Sequence, residues 1–208
     1  MTEVSKMYSK LDIENVLQKA GLFLKRSVEA FLIGGCAMTF RNLKPATKDA
    51  DLLLEDELSE KRLFDALREA GLTELFPGSY QIEVKAKDIL IAPNGLQFDL
   101  FAESVMGGLS LTESMKKRAE KHRDYGKLKL FIASKEDIYL FKGITDRPYP
   151  RDYEDMVTLQ QSGLNWEAVI AGFEEQIQGK AIEQKLRKKL GELKQKGYTN
   201  PLVRKLKI

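Results

Sequence analysis

Asp49 and Asp51 open an apolar stretch that continues through Leu52, Leu53 and Leu54. A short apolar run of this kind predicts a buried strand, and residues two apart in a strand point to the same face. The two carboxylates are therefore expected to share one side of a sheet. Two like charges in an apolar setting are costly unless a cation lies between them, so the pair favours a divalent metal site. The alternative is a pair at a strand end that faces solvent.

A third acid repeats this pattern later in the chain. Asp99 lies in the strand predicted over 96–102, where Leu96, Phe98 and Leu100 alternate around it. If this strand neighbours the first, three carboxylates converge, and oxygen ligands of this kind suit Mg²⁺ or Mn²⁺. A structural zinc site is excluded because the chain has one Cys and one His.

Two glycines supply a complementary feature upstream. The segment 30–35, AFLIGG, is a short apolar run ending in Gly34 and Gly35, and CAMTFRNL after it has helical character. A strand, a tight turn and a helix start are predicted. Such a turn exposes backbone N–H groups that bind phosphate, and glycine lets the backbone come close to the ligand. The alternative is an ordinary turn.

The remaining periodicity predicts the order of the other elements. Helices are predicted over 9–29, 58–70, most of 110–126, 135–144, 151–161, 165–178 and 180–196, and strands over 50–56, 80–86, 88–92 and 127–133. This order predicts an α/β sheet domain followed by a helical C-terminal part. We expect the α/β core over 1–133 and a helical C-terminal region over 134–208.

The sequence LIGGCAMTFRNLKPATKDADLLLE, with QFDLF behind it, resembles the DNA polymerase β-like nucleotidyltransferases. Their signature is a strand, a Gly-Gly turn, a helix, a strand carrying D-x-D and a third carboxylate on a later strand. A second stretch, ASKEDIYLFKGITDRPYPRDYEDM, is similar to the abortive-infection type IV toxin group and related minimal nucleotidyltransferases. The resemblance covers about residues 28–160 and implies a nucleotidyltransferase fold, in which a mixed sheet is flanked by helices.

The resemblance also implies roles for individual residues. Asp49, Asp51 and Asp99 would be the catalytic acids and would hold Mg²⁺ or Mn²⁺. Nucleotide contacts would come from Gly34, Gly35, Cys36, Lys142, Asp152 and Asp155. Cys36 departs from the family, which often has Ser there, and a thiol is the poorer donor, so only its backbone contact is expected to persist.

An alternative applies to the second stretch. Arg147, Arg151, Asp152 and Asp155 would then form a salt-bridge network that ties helices together, and Lys142 would be an ordinary helix lysine.

Charge is distributed unevenly along the chain. The basic C-terminal tail, residues 180–208, holds ten Lys or Arg and two Glu, whereas the whole chain has a net charge of only +3. A basic end on an acidic body indicates a polyanion partner such as RNA, or else a solvated helix face. No apolar run reaches the roughly 18 residues of a membrane span, and the N-terminus lacks a signal-like apolar region, so a cytoplasmic location is expected.

The resemblance implies Mg²⁺-dependent transfer of a nucleoside monophosphate from an NTP to an acceptor hydroxyl, on RNA (including tRNA) or protein. A toxin role in a toxin-antitoxin pair follows only from the subgroup. The alternative is a catalytically weak nucleotide-binding module that acts as a regulatory or antitoxin-like protein partner.

Overall fold

A computed structural model describes residues 6–75, 88–105, 109–145, 151–176 and 180–208. The helices in these ranges are α1 Lys10–Phe23, α2 Gly34–Phe40, α3 Glu57–Glu69, α4 Glu113–Arg118, α5 Lys135–Ile144, α6 Arg151–Gln161, α7 Trp166–Gln176, α8 Lys180–Gln195 and α9 Pro201–Lys205. The strands are β1 Val28–Ile33, β2 Asp49–Leu54, β3 Thr73–Leu75, β4 Asp88–Ile91, β5 Gln97–Ala102, β6 Ser104–Val105, β7 Leu109–Ser110, β8 Glu120–Tyr125 and β9 Leu128–Ile132.

Seven of these strands form one mixed sheet in the order β3-β4-β5-β2-β1-β9-β8. The pairs β2/β5 and β1/β9 are parallel, and the other neighbours are antiparallel. The central strands β1 and β2 are nearly continuous apolar runs, as expected for strands covered on both faces. The mixed sheet flanked by helices confirms the predicted fold class.

Helix starts follow from local capping. The side chains of Ser9, Asp56 and Ser134 each accept a hydrogen bond from a backbone N–H in the first turn of α1, α3 and α5. Asn165 does the same for the N–H groups of the first turn of α7. These side chains satisfy donors that have no partner within their helix, which fixes where each helix begins.

A single apolar core runs from α1 through the sheet to α9. In the described residues every strand lies before residue 133, and every element after it is a helix. The division into domains at 1–133 and 134–208 stays a prediction, since the same core joins the two parts. Across the described helices, we find none that combines the length and apolar content required to cross a bilayer.

One predicted helix was wrong in its second half. The segment 110–126 forms only the short helix α4, after which Glu120–Tyr125 pairs antiparallel with β9 as the edge strand β8. Five of the six β8 residues are polar or charged because this edge faces solvent, and charges on an edge strand discourage pairing with other chains. A charged edge strand has no apolar alternation to distinguish it from a solvated helix.

Other boundaries moved by a few residues. The helix predicted over 9–29 ends at Phe23, because Val28 and Glu29 already pair with β9 as the start of β1. The strand predicted over 80–86 lies outside the described residues. The helix α9 was not predicted from the sequence.

Candidate active site

The structure brings two of the predicted acids side by side. Strands β2 and β5 are parallel neighbours, and their register places Asp51 opposite Asp99. Paired residues on adjacent strands point to the same face, and Asp49 lies two residues before Asp51 on that face. Asp51 and Asp99 are only 8% and 3% exposed, whereas Asp49 is half-buried. The strands that carry Asp51 and Asp99 are therefore neighbours in the sheet, which was the condition for these acids to converge.

Neighbouring polar groups hold these carboxylates. The Gln97 amide donates to Asp99 Oδ1 at 2.6 Å. Thr47 Oγ1 donates to the Asp49 carbonyl at 3.0 Å and lies 3.5 Å from Asp49 Oδ1. Within the described ranges, no three His, Cys, Asp or Glu side chains are arranged to hold a metal ion as they stand. The acids share a face of the sheet, and the Asp99 carboxylate accepts a hydrogen bond from its neighbour on the same strand, Gln97.

The Gly-Gly turn lies directly against Asp51. Gly34 has a φ of +63°, and a Cβ atom at this position would overlap Asp51 Oδ2. Only glycine therefore combines this backbone conformation with so close a carboxylate. The N-cap residue of α2 is Ile33, which has no side-chain acceptor. The first backbone N–H groups of this helix are therefore not capped by that side chain.

A guanidinium also approaches the turn. A Cβ atom built on Gly35 would lie 3.1 Å from Thr47 Oγ1 and 3.9 Å from Arg151 Nη2. The turn is thus bordered by a carboxylate at Gly34 and by a cation at Gly35.

The donor chemistry of this region fits a hard divalent cation. Asp49, Asp51 and Asp99 offer carboxylate oxygens, the ligands that Mg²⁺ and Mn²⁺ prefer. Asp51 Oδ2 occupies the place that a Cβ atom on Gly34 would take, so this carboxylate lies directly against the backbone of the turn. Their role as metal ligands stays a prediction.

Cys36 is fully buried in α2. Its Sγ donates to the Ile33 carbonyl at 3.0 Å, and burial, together with the nearby Asp51 charge, raises the pKa of the thiol well above its ordinary value. The side chain is a neutral core group at any ordinary pH. Only the backbone N–H of Cys36 is left for the predicted nucleotide contact.

The predicted nucleotide-binding residues of the helical region form one buried ionic cluster. Lys142 Nζ, on α5, lies 3.0 Å from Asp152 Oδ1 and 2.8 Å from Asp155 Oδ2, both on α6. All three side chains are at most 3% exposed. The salt-bridge interpretation therefore describes the contacts of Asp152 and Asp155, whereas the interpretation of Lys142 as an ordinary helix lysine is wrong because its ammonium group is buried between them. Arg147 lies outside the described residues, and the role of the other three in nucleotide binding stays a prediction.

Three further groups extend the cluster. Lys44, from the loop before β2, forms an ion pair with Asp155. Thr145 donates a short hydrogen bond to Asp152 Oδ2. Burial alone would raise the pKa of Asp152, but Lys142, Thr145 and Lys189 hold it below its ordinary value. We name this set, Lys44, Lys142, Thr145, Asp152, Asp155 and Lys189, the buried ionic cluster.

Lys189 connects the C-terminal helix α8 to this cluster. Its Nζ donates to the Lys142 carbonyl at 2.9 Å, to the Thr145 carbonyl at 2.5 Å and to Thr145 Oγ1 at 2.7 Å. It also lies 3.7 Å from Asp152 Oδ2. The two carbonyls lie at the end of α5, where backbone acceptors lack helical partners and a cation is favoured.

Sequence reasoning missed Lys44, Thr47 and Lys189 as members of this region. Lys44 and Thr47 immediately precede the D-x-D strand, which was the one available signal for them. Lys189 stands within the run Arg187-Lys188-Lys189, where nothing in the sequence separates a buried lysine from its solvated neighbours. Arg151 was assigned only to a salt-bridge network, although it lies beside Gly35.

The basic C-terminal tail is a folded part of the protein. Leu186, Leu190, Leu193, Leu202, Val203 and Leu206 are buried in the core. Exposed cations remain on its surface: Lys188, Lys194, Lys196, Arg204, Lys205 and Lys207. Several have local partners, since Lys194 donates to the Ile208 carbonyl and Lys205 pairs with Glu174. The tail is therefore two packed helices and their connection.

Comparison with solved structures identifies the fold. An antigenic nucleotidyltransferase-like protein from Paracoccidioides brasiliensis aligns with a TM-score of 0.52 and 16% identity over 97% of this chain and 94% of that protein. The lincomycin-bound lincosamide antibiotic adenylyltransferase LnuA aligns with a TM-score of 0.52 and 14% identity over 76% of this chain and all of LnuA. No protein-family model and no curated protein matches the sequence. The likeness shows a nucleotidyltransferase fold.

Proposed function

We propose that this chain is a nucleotidyltransferase that moves a nucleoside monophosphate from an NTP to a hydroxyl of an acceptor. One observation carries the proposal: Asp51 and Asp99 lie opposite each other on adjacent parallel strands, and Asp51 Oδ2 lies directly against Gly34. Acids in this setting, beside backbone N–H groups at a helix start, combine a cation site with a phosphate site.

The acids would hold one or two divalent cations. Bound Mg²⁺ or Mn²⁺ would neutralise phosphate charge and lower the pKa of the acceptor hydroxyl. Asp49, Asp51 and Asp99 would fix the position of that charge, and Asp99 would assist removal of the hydroxyl proton. The acceptor oxygen then forms a bond to the α-phosphorus, and the bond from that phosphorus to the departing pyrophosphate breaks.

The chain's own donors would bind the triphosphate. The backbone N–H groups at the start of α2 face the turn, and Arg151 reaches the same place from α6. Lys44, in the buried ionic cluster, is close enough to both Lys142 and Arg151 for their charges to interact. Cations beside the start of α2 would stabilise anionic phosphates in place, so most of the catalysis would come from positioning and charge neutralisation.

Transfer of label tests the proposal directly. Each of the four α-³²P NTPs is incubated with Mg²⁺ or Mn²⁺ and with total RNA, with the protein itself, or with small hydroxyl compounds. Label on an acceptor with the wild type and none with Asp51→Asn supports transfer. Asp65→Asn is the matched control, because Asp65 is an exposed α3 residue paired with Lys61 and lies outside the site.

The basic surface favours RNA, including tRNA, as the acceptor. Truncation of residues 180–208 would not test this, because it removes buried leucines and Lys189. Replacing the exposed Lys188, Arg204 and Lys207 by Glu keeps the fold. If these cations contact RNA phosphates, the slope of the logarithm of the binding constant against the logarithm of the salt concentration becomes shallower by about 0.7 for each lost contact to a single strand. An unchanged slope would identify them as a solvated helix face.

A catalytically weak nucleotide-binding module is a second candidate function. It is favoured by the hydrogen bond from Gln97 to Asp99, which engages an oxygen that a catalytic metal would need. Metal-dependent NTP binding without label transfer to any acceptor would support this module.

A toxin-antitoxin role is tested by expression in cells. Growth arrest with the wild type that disappears with Asp51→Asn supports a toxin, and normal growth with the wild type contradicts it.

A further inference from the structure

A groove of about 480 Å³ lies between the end of α1 and one face of α3. Leu24 and Ala66 are buried in its floor, and the rings of Phe23 and Phe64 line it. None of the residues proposed for nucleotide transfer lines this groove. Its chemistry is therefore separate from that of the candidate active site.

The rim of the groove carries four cations. Lys25, Arg26, Arg62 and Arg68 line it, and none of them forms an ion pair within the ranges that the structure describes. By contrast, Lys61 just outside the groove already pairs with Asp65 at 2.6 Å. Asp65 and Glu69 are the two acids of the rim, so the four cations leave the groove with a positive local charge. Residues 1–179 as a whole are acidic.

Apolar side chains extend the groove onto the surface. Leu22, next to Phe23 at the end of α1, is 77% exposed, and Phe23 is 43% exposed. Leu58, 58% exposed, lies one helical turn before Arg62 and therefore continues the same face of α3. Exposed leucines and a phenylalanine around one groove are a surface that gains free energy when covered.

We propose that this groove binds an acidic, amphipathic helix of a partner protein. Its leucine-like side chains would cover Leu22, Phe23 and Leu58, and its carboxylates would pair with the four cations of the rim. Exposed Leu22 and Leu58 favour a helix with an apolar face over a nucleic acid here, because aliphatic side chains gain free energy when apolar groups cover them and offer a base no ring to stack on.

Fluorescence anisotropy with designed probes tests the proposal. The probe is a fluorescein-labelled peptide of about 18 residues, with Leu at helical i, i+3, i+4, i+7 spacing and Glu elsewhere. One control peptide has the same composition with the leucines spread around the helix, and a second has Lys in place of Glu. A labelled single-stranded RNA is the fourth probe. We expect binding of the first peptide alone.

Variants locate the site. The double variant Arg62→Glu, Arg68→Glu is expected to weaken binding of the acidic peptide by at least about tenfold. Phe23→Ser, at a half-exposed position that tolerates a polar residue, is expected to do the same. The double variant Lys188→Glu, Arg204→Glu makes the same charge change at exposed positions on α8 and α9 that do not line the groove, and it is expected to leave binding unchanged.

Three outcomes would overturn the proposal. Equal binding of both acidic peptides would show simple charge attraction, and binding that the groove variants do not change would place the site elsewhere. RNA binding that is lost in the Arg62→Glu, Arg68→Glu variant would identify a nucleic-acid surface instead.

A second copy of this chain is a further possible occupant of the groove, and analytical ultracentrifugation tests for it. Self-association of the wild type that is abolished by Phe23→Ser would assign the groove to a second copy and would also overturn the proposal.

Discussion

Replacing Lys189 by Met tests whether the C-terminal helix α8 supports the nucleotide site. The substitution keeps most of the apolar stem and removes the ammonium group that donates to the Lys142 carbonyl, the Thr145 carbonyl and Thr145 Oγ1. Since Lys142 and Thr145 both contact Asp152, the change is expected to loosen the whole buried ionic cluster.

The contacts give the size of the effect. Each hydrogen bond from a charged donor contributes about 1.5–3 kcal/mol, and the two buried carbonyls would be left without this donor. Relief of the desolvation of a lysine that is only 5% exposed offsets part of this. We expect the free energy of unfolding to fall by about 2–4 kcal/mol, which lowers Tm by roughly 5–12 °C for a chain of this size.

Urea unfolding and nucleotide titration measure the two consequences. Lys188→Met, one residue away at an exposed position, is the control and should change stability by less than about 0.5 kcal/mol. Nucleotide affinity, measured by calorimetry at a temperature where both variants are folded, should fall only for Lys189→Met. A stability loss with unchanged nucleotide affinity would refute the link between α8 and the site, and no stability loss would refute the energetic argument itself.

Three other substitutions test the site and its electrostatics. Gly34→Ala should lose about 1–3 kcal/mol more stability than Gly71→Ala in thermal unfolding. Both glycines have a positive φ, but only a methyl group on residue 34 would overlap Asp51. Equal losses would show that the Asp51 side chain moves aside without a measurable cost. Asp99→Asn should weaken Mn²⁺ binding by at least about tenfold in calorimetry without NTP, and unchanged affinity would remove Asp99 from the metal site. The pKa of Asp152 is held below its ordinary value of 3.8, so its contribution to stability is present above that pH and is lost as the pH falls through the lower folded value. Urea unfolding from pH 7 to pH 3 should therefore show the stability difference between wild type and Asp152→Asn shrinking as the pH falls, and a constant difference would contradict this assignment.

The strands that carry the acids could be predicted because each residue there is constrained by burial on both faces. An acid at every second position of an apolar run is costly unless a cation or a polar partner meets it, and the register of β2 and β5 then brings Asp51 and Asp99 together. What the sequence did not specify was which strands are neighbours. It also did not specify where the side chains turn, and the hydrogen bond from Gln97 to Asp99 depends on the final packing.

Charged segments were the least predictable because charge alone does not distinguish an edge strand, a solvated helix and a buried ion. β8 was predicted as helix for this reason. Lys189 was counted with its solvated neighbours, although its contacts lie in the core. Only tertiary structure, which brings the end of α5 against α8, gives one lysine of this run different surroundings from the next.

The buried ionic cluster also determines how the chain should be divided in experiments. A cut at residue 133 would remove Lys142, Asp152 and Lys189 together, and Lys44 would lose its partner Asp155. Arg151, which lies near Gly35, would be lost with them. The α/β core supplies the acids and the Gly-Gly turn, whereas the helical region supplies most of the cations beside them. The proposed triphosphate site draws on both parts of the chain, so activity assays on the isolated core would test an incomplete site.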